Sequence, residues 1–363
     1  MHKFPHLPIE RAQPDCERFI DAVMGRVLPE RPPLVEYLID DALRKLIVTD
    51  LLGRTWVDPR PGDQPSWLAY MDNFIAVWYQ LGYDFVRYEQ GLPLAERYIM
   101  GDDPSRSNGI RAWNDLSHGT IATWQDFETF AWPEVTPAFF ANYEYLARNL
   151  PEGMGLIVSH GGGIYEHLSA LFSYEGLCMA LYDQPDLVAA VAQRLGELFL
   201  QVYRQLVQIE GVAAVFQGDD MGFRTATLLP PEALRTYTLP WHARYADLAH
   251  DAGLPYFLHS CGNLTEIMPD LIDTVQIDAK HSFENAIVAA DQFQALYGSH
   301  IGVLGGVDID ILGRGSEAEI RAETRWLMES CGERGRYAIG SGNSIPSYIP
   351  LESFLSMLDE AQR

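Results

Sequence analysis

Short apolar segments alternate with longer amphipathic segments along most of this 363-residue chain. The short segments have the length and composition of buried strands, and the longer ones carry apolar residues at the three- and four-residue spacing of helices. Such alternation predicts a parallel sheet with right-handed crossovers. The predicted strands span residues 33–39, 83–90, 155–160, 212–217, 255–260, 274–279, 301–306 and 337–341.

Eight strand–helix units in one chain favour a closed (β/α)8 barrel of the TIM type. The alternative is an open, doubly wound sheet, whose first strand should lead into a phosphate-binding GxGxxG turn. The glycine-rich stretch SHGGGIYEH (159–167) lacks that spacing. The α/β class is therefore predicted, with the barrel ranked ahead of the open sheet.

Helix-terminal signals support the long segments between the strands. The segment 185–211 ends on Gly211, and the segment 230–253 begins with proline and ends on Gly253, where a helix C-cap is expected. Ser316 is followed three residues later by Glu319, which predicts a capping box.

Two regions fall outside the simple repeat. Residues 1–30 are interpreted as an N-terminal helical extension, and residues from about 98–150 as an insertion early in the barrel. No linker composition separates either region from the rest. Residues 1–363 are therefore interpreted as a single domain.

The charge balance excludes two classes of partner. The chain has 26 Lys and Arg against 50 Asp and Glu, a formal net charge of −24. A surface this acidic repels phosphate backbones and anionic lipids, so neither nucleic acid nor membrane is an expected partner. The sequence leaves open whether the chain forms a homodimer.

The cysteines and the first residues favour a reducing compartment. Four irregularly spaced cysteines do not suggest a disulfide framework, and the first fifteen residues lack the apolar core of a signal peptide. No apolar run approaches the roughly 18 residues of a membrane span. We therefore expect a cytoplasmic location.

Polar residues cluster where the predicted strands end. The fourth to eighth strands run into GDDMG, HSCGN, DAKHS, GGVDID and GSGNS, while Glu36 and Glu89 lie on the first two strands. The carboxyl ends of barrel strands form one rim, and barrel enzymes carry their catalytic groups there. The clustering predicts an enzyme.

His259 and Cys261 are candidate metal ligands. Residues i and i+2 of a strand point to the same side, so an imidazole and a sulfur could converge on one ion. Nitrogen and sulfur donors suit zinc, and a catalytic zinc keeps one position open beside three protein ligands. The alternative is a capped strand end with a small buried cysteine.

Four further residues are candidates for catalysis. Asp219 and Asp220 could supply a third ligand, position a basic substrate or share a proton, and the sequence does not choose between them; DDMG is also ordinary turn chemistry. Lys280 and His281 could act directly. Lys280 could instead form a salt bridge with Asp278, the commonest outcome among so many carboxylates.

A second set of polar residues is expected to contact substrate. Each lies on a predicted strand or just after one, where it could face the cavity; His160 and Asp308 could equally belong to a turn or a helix start. The set comprises Glu36, Glu89, His160, Asp278, Asp308 and Asn343.

Three stretches resemble the uroporphyrinogen decarboxylase superfamily: residues 229–273, the segment LGGVDIDILGRGSEAEI (304–320) and the closing GSGNSIPSYIPLESFLSMLDEAQ (340–362). The resemblance covers roughly residues 15–360 and implies a (β/α)8 barrel. It is closer to the corrinoid-dependent methyltransferase branch than to the decarboxylases. The decarboxylases have an Arg-rich stretch where this chain reads RPPLVEYLID (31–40), with Arg31 but no second arginine after the strand.

In the methyltransferase branch, zinc is held by a His-x-Cys after the fifth strand and a second Cys after the eighth. His259 and Cys261 match the first pair, but Ser341 stands in the Gly-Ser-Gly that replaces Gly-Cys-Gly. The resemblance therefore implies a zinc site completed by an oxygen ligand, or no zinc site. The candidate oxygen donors on the same rim are Asp219, Asp220, Glu36, Glu89 and Asp278.

The resemblance implies zinc-assisted methyl transfer between a small-molecule methyl donor or thiol acceptor and cobalamin. The chain lacks an Asp-x-His-x-x-Gly cobalamin-binding motif, so a separate corrinoid protein would carry the cofactor. An oxygen ligand makes the metal harder, which favours activation of an O-methyl donor. Two alternatives stay open: a metal-independent lyase acting on a carboxylated substrate, and a barrel that binds a ligand without turnover.

Overall fold

A computed structural model describes residues 3–102 and 110–363. The strands are β1 (Phe85–Gln90), β2 (Tyr98–Asp102), β3 (Ile110–Asn114), β4 (Gly155–His160), β5 (Val212–Gly218), β6 (Tyr256–His259), β7 (Ala279–His281), β8 (Gly302–Leu304) and β9 (Tyr337–Ala338). The α-helices are α1 (Cys16–Val23), α2 (Asp41–Leu46), α3 (Gln64–Gln80), α4 (Trp124–Thr129), α5 (Ala141–Asn149), α6 (Ile164–Phe172), α7 (Tyr174–Asp183), α8 (Pro185–Leu206), α9 (Pro231–Tyr237), α10 (Leu239–Asp251), α11 (Met268–Asp273), α12 (Ala290–Tyr297), α13 (Ile309–Arg314), α14 (Glu317–Gly332) and α15 (Leu351–Ala361).

Seven strands form one sheet in the order β1-β4-β5-β6-β7-β8-β9, and all of its pairings are parallel. Helices connect consecutive strands, as parallel pairing requires. The carboxyl ends of the strands therefore meet at one rim. The α/β class and the parallel sheet predicted from the sequence are confirmed.

The predicted first strand, residues 33–39, joins the sheet only through isolated parallel bridges, Leu34 with Ile339 and Ile39 with Ile345. Between these bridges the Glu36 carboxylate accepts from the backbone N–H of Ser341, which replaces a ladder hydrogen bond. On the other side, the Tyr37 hydroxyl reaches Glu89 on β1. The segment thus contacts both edges of the sheet, so the sheet is curled.

Two other elements differ from their predicted limits. The strand predicted at 274–279 begins only at Ala279, because Gln276 has a positive φ of 62° that interrupts the extended backbone. The helix predicted over 230–253 is divided into α9 and α10 at Thr238, two residues before Pro240. Proline cannot donate the backbone hydrogen bond that would continue the first helix.

The interior of the curled sheet contains a polar stack. The Arg87 guanidinium lies 3.7 Å from the ring centroid of Tyr37, and that ring stacks on His259 at 4.0 Å. Arg87 also donates to Ser159 and to the carbonyl of Phe216. Buried charges need such partners, and here they fix the aromatic ring beside His259.

The regions outside the main sheet are also partly described. Helix α1 packs under the amino ends of the strands, where Gly155 faces Cys16 and Gly302 faces Val23. Strands β2 and β3 form an antiparallel pair separate from the main sheet. The interpretation of about 98–150 as an insertion lies partly outside the described residues. No described helix is long and apolar enough to cross a membrane.

Gly340 provides a test of the contact between residues 33–39 and β9. Its backbone is compatible with alanine, but an added Cβ would collide with the carbonyl of Val35. We expect Gly340→Ala to lower the free energy of unfolding by about 1–3 kcal/mol, as in overpacked cores. Gly91→Ala is the matched control, since a Cβ there meets nothing within 4 Å. Urea denaturation would measure both, and equal stability would contradict this account of the contact.

Candidate metal site

The loops after β5 and β6 bring three donor groups together at the carboxyl end of the sheet. His259 Nε2 lies 3.5 Å from Cys261 Sγ and 3.5 Å from Asp220 Oδ1. The donor atoms of these three residues all lie within 4.8 Å of one another. Donor atoms of a tetrahedral zinc with bonds of about 2.0–2.3 Å lie about 3.3–3.7 Å apart. The two short separations therefore suit a tetrahedral ion.

Two glycines allow these loops to meet. Gly222 donates to the carbonyl of Cys261 at 3.1 Å, and Asn263 donates to the carbonyl of Phe223 at 2.7 Å. A Cβ on either Gly222 or Gly262 would collide with the opposite backbone, and Gly262 has a φ of +80°. Glycine alone permits both the close approach and this conformation. The contact places the Asp220 carboxylate against the backbone N–H of Cys261 at 2.9 Å.

A chain of hydrogen bonds orients the ring of His259. His281 Nε2 lies 3.1 Å from the carbonyl oxygen of Ser341, which can only accept, so this nitrogen carries a proton. Burial lowers the pKa of His281 well below its usual value, so the ring is neutral and its Nδ1 accepts. His259 Nδ1, 2.7 Å away, must then donate. His259 Nε2 is then the nitrogen left to bind a metal ion, and it faces Cys261 and Asp220.

Cys261 and Asp220 have opposite acid–base behaviour. Burial, reinforced by the Asp220 charge, raises the pKa of the Cys261 thiol to about 12. Burial also tends to raise the pKa of Asp220, but His259 and the Cys261 N–H outweigh it and hold that pKa at about 2. The site thus contains an ionised carboxylate, and its thiol needs a nearby cation to become a thiolate. A bound metal ion would supply that cation.

The structure distinguishes Asp219 from Asp220. Asp219 is fully buried and accepts from the backbone N–H groups of Tyr165 and Glu166, both at 3.1 Å, at the start of α6. It also binds His242 Nε2 at 2.9 Å. These contacts hold α6 against the sheet. Of the two aspartates that the sequence could not separate, Asp220 lies in the donor group and Asp219 lies in the contacts that support it.

Lys280 and Asp278 do not form the salt bridge expected from the sequence. Lys280 Nζ donates to the carbonyls of Ser260, His281 and Ser282 at 3.3, 3.2 and 2.6 Å. Asp278 instead accepts from His250 at 2.8 Å and from the N–H of Tyr256, the first residue of β6. Asp278 therefore lies at the amino end of the strands, because β7 begins after it. Its expected place on the site rim is wrong.

His160 and Asp308 are occupied by local structure. His160 is buried, stacks on Phe199 at 3.9 Å, and has a pKa lowered well below its usual value by burial. Asp308 accepts from Asp310 N at the start of α13, and from Asn285 N. Asp308 therefore begins a helix, the second of its two options, whereas His160 is a buried residue at the end of β4.

Glu36, Glu89 and Asn343 lie around the donor group. The Ser341 hydroxyl donates to the carboxyl group of Glu36 at 2.5 Å, so this hydroxyl points toward Glu36. The Asn343 amide donates to Cys261 Sγ at 3.3 Å. Glu89 accepts from Tyr37 at 3.3 Å and pairs with Arg87, with 23% of its side chain exposed. Among the described residues, the carboxylate that joins His259 and Cys261 in the donor group is therefore that of Asp220.

Three neighbours of the site escaped the sequence analysis: Tyr37, Glu166 and Ser282. Tyr37 stacks on His259, and Ser282 donates to Cys261 Sγ at 3.4 Å. Burial, followed by the charges of Asp220 and Asp219, raises the pKa of Glu166 well above its usual value. Glu166 carries a sequence signal, since it stands three residues after Gly163 as a helix-capping acid. Tyr37 directly follows Glu36, which the sequence did single out. Its inward orientation, however, depends on the irregular pairing of residues 33–39.

This fold and this donor group define a barrel-like α/β protein with a candidate metal site at the carboxyl rim. The family profile for uroporphyrinogen decarboxylase (URO-D) matches residues 102–363, and the chain belongs to that family. The resemblance noted in the sequence is thereby confirmed at the level of the superfamily.

Comparison with solved structures finds distant likenesses. A Listeria monocytogenes protein described as a vitamin-B12 independent methionine synthase shares 12% identity at a TM-score of 0.48, over 92% of this chain and 95% of that chain. The intracellular xylanase TsXylA of Thermoanaerobacterium saccharolyticum shares 10% at a TM-score of 0.40, over 93% and 90%. Xylanase B of Clostridium stercorarium shares 12% at 0.36, over 62% and 77%. These scores carry no argument about activity, and comparison with curated proteins finds no significant match.

Separate replacement of Asp219 and of Asp220 should show which of the two aspartates stabilises the fold. Asp219→Ala leaves the buried His242 and two backbone N–H groups without an acceptor, so we expect a loss of about 3 kcal/mol or more in the free energy of unfolding. Asp220→Asn, at a side chain that is 41% exposed, should change stability by less than about 1 kcal/mol. Urea denaturation of the two variants checks this, and a larger loss for Asp220→Asn would contradict the assignment.

Glu36 should make stability depend on pH. Burial raises the pKa of Glu36 from 4.5 to about 8, so the folded protein retains a proton that the unfolded chain releases. The unfolded state is therefore favoured progressively as the pH rises from 4.5 to 8. Glu36→Gln removes this contribution, and its stability relative to wild type should rise across that interval. Urea midpoints at several pH values test this, with the exposed Glu134→Gln as control; a constant difference would contradict the raised pKa.

Proposed function

We propose that the chain is a zinc-dependent methyltransferase whose metal is held by Asp220, His259 and Cys261. Its reaction would transfer a methyl group between a small molecule and the cobalamin of a separate corrinoid protein. The observation that carries the proposal is the donor group itself: a nitrogen that lies 3.5 Å from a sulfur and 3.5 Å from a carboxylate oxygen, with His259 Nε2 directed toward both. Family membership supports a decarboxylase-like or methyltransferase-like enzyme in general.

The proposal includes the complete barrel. Residues 33–39 would be the first strand of a (β/α)8 barrel and would close it between β9 and β1, with residues 1–30 outside it and 98–150 inserted into it. The bridge from Leu34 to Ile339 and the hydrogen bond from Tyr37 to Glu89 support this arrangement. In such a barrel the donor group lies at the carboxyl rim, where the loops can bind substrate.

The bound ion would supply Lewis acidity, polarising an oxygen of the methyl donor or favouring the thiolate of a thiol acceptor. The residues of the chain have complementary tasks. Asp220 stays ionised, and its second oxygen remains available beyond the one that accepts from Cys261 N. Tyr37 covers one face of His259, which shields that ring from water. His281 keeps the proton of His259 on Nδ1.

The choice of a carboxylate as third donor favours one direction of transfer. The resemblance implies a cysteine at the position of Ser341, and a second sulfur would give a softer site. Asp220 replaces that sulfur with a hard oxygen donor, which leaves more positive charge on the ion. A methoxy or hydroxyl oxygen is then a better ligand than a thioether. We therefore propose an O-methyl compound as the methyl donor.

The alternative of a lyase for carboxylated substrates has less support. Such an enzyme needs cations directed at substrate, and the two buried cations found beside the site among the described residues are engaged elsewhere. Arg87 pairs with Glu89, and Lys280 donates to three backbone carbonyls. The carboxylates of Asp220 and Glu89 would also repel an anionic substrate.

Metal content provides the direct test. Purified wild-type protein should contain about one zinc per chain, and Cys261→Ala should lose it. Cys178→Ala should keep it, because that cysteine lies on α7, away from the donor group. Ser341→Ala should also keep it, since the hydroxyl is bonded to Glu36. Elemental analysis after dialysis measures the content.

The reaction requires a second assay. With a corrinoid protein added, wild type should demethylate an O-methyl donor, and the variant without zinc should not. Release of carbon dioxide without metal dependence, or metal content unaffected by Cys261→Ala, would contradict the proposal.

A further inference from the structure

Two side chains outside the donor group donate hydrogen bonds to the sulfur of Cys261. Ser282 Oγ lies 3.4 Å from Sγ, and Asn343 Nδ2 lies 3.3 Å from it. They come from the loops after β7 and β9, whereas the donor group comes from the loops after β5 and β6. The sulfur is therefore approached from two sides by groups that the zinc site itself does not require.

The orientation of the Asn343 amide follows from its other contact. Asn343 Oδ1 accepts from the backbone N–H of Ser344 at 2.7 Å. An N–H can only donate, so the oxygen of the amide must point there and its NH₂ group must point at the sulfur. The Ser341 hydroxyl also contacts the carbonyl of Asn343, which holds the backbone of this loop.

Ser282 is held in an uncommon backbone conformation. Its φ is +84°, in a region that L-residues with side chains seldom adopt. Two contacts keep it there: Lys280 Nζ donates to its carbonyl at 2.6 Å, and Phe283 N donates to Gly342 O at 2.8 Å. Such strain persists only where the surroundings enforce it, and it often marks a functional group. Here it turns a buried hydroxyl, with the residue 4% exposed, onto the sulfur.

We propose that Ser282 and Asn343 are positioning residues that keep Cys261 a metal ligand and prevent its sulfur from accepting the methyl group. The inference rests on the proposed function, since it concerns a sulfur ligand beside a methyl donor. In the reaction they suppress, a sulfur lone pair forms a bond to the methyl carbon, while the carbon–oxygen bond of the donor breaks and the oxygen leaves with the electron pair. Two hydrogen bonds withdraw charge from sulfur, and nucleophilicity falls with sulfur basicity.

The test uses methyl iodide as probe on the metal-loaded full chain. Attack by sulfur forms the S–CH₃ bond and expels iodide with the carbon–iodine electron pair, and peptide mass spectrometry follows the added methyl group at Cys261. Ser282→Ala keeps the backbone strain and removes the hydroxyl, Ser282→Gly relieves the strain as well, and Asn343→Ala removes the amide. A rise of about two units in sulfur basicity at a slope of about 0.5 gives about tenfold faster methylation. That increase is the expected result for the double variant.

Two controls are available in the same protein. Cys178, half-buried on α7, should be methylated at an unchanged rate in every variant. Ser347→Ala alters another serine of the loop after β9, whose contact with Asp40 runs through its backbone N–H. It should leave the rate at Cys261 unchanged.

The absorption spectrum of cobalt-substituted protein provides a second readout, which a general loss of rigidity around the site would not change in the same way. Loss of a donor to the thiolate should move the sulfur-to-cobalt charge-transfer band to lower energy in each variant. An unchanged band together with an unchanged rate at Cys261 would overturn the inference and leave the zinc site intact. A wild-type protein that binds cobalt without any thiolate band would overturn both the inference and the proposed function.

Discussion

The hydrogen-bond chain from Ser341 through His281 to His259 fixes the chemistry of the whole site. Its direction is imposed by one carbonyl oxygen, which can only accept, and by burial, which keeps His281 neutral. Without this chain, His259 could place its proton on either nitrogen, and its Nε2 lone pair would face the donor group only part of the time. Second partners of this kind commonly set the tautomer and basicity of metal-binding histidines.

The curled sheet makes that chain possible because it lines up residues from several strands. His259 and His281 pair directly across β6 and β7, and the loop after β9 adds the carbonyl of Ser341. Tyr37 covers the ring of His259 and is itself covered by Arg87. A guanidinium buried this deeply is stabilised by Glu89 and by the Tyr37 ring, so the same contacts serve folding and site geometry.

Sequence patterns predicted the sheet and part of the site because those depend on local rules. His259 and Cys261 converge through the two-residue period of a strand, and the Ser316 capping box formed as expected. Asp219 and Asp220 could not be separated, since only the packing of α6 and His242 shows which carboxylate is buried. Asp278 was misplaced because the strand limit moved by a few residues, which changes the end of the sheet where it lies. No local sequence pattern points to Ser282, because the direction of its side chain depends on contacts with Lys280 and with the loop after β9.

The serine at position 341 takes part in several hydrogen bonds near the donor group. Its hydroxyl serves a buried acid, its carbonyl serves His281, and its backbone N–H faces Glu36. A cysteine at this point could approach the donor group only by releasing Glu36, and that buried carboxyl group would then lose its contact with residue 341. Residue 341 thus belongs to the hydrogen-bond network that joins Glu36 to His281, and a thiol at this position would require a second change at Glu36.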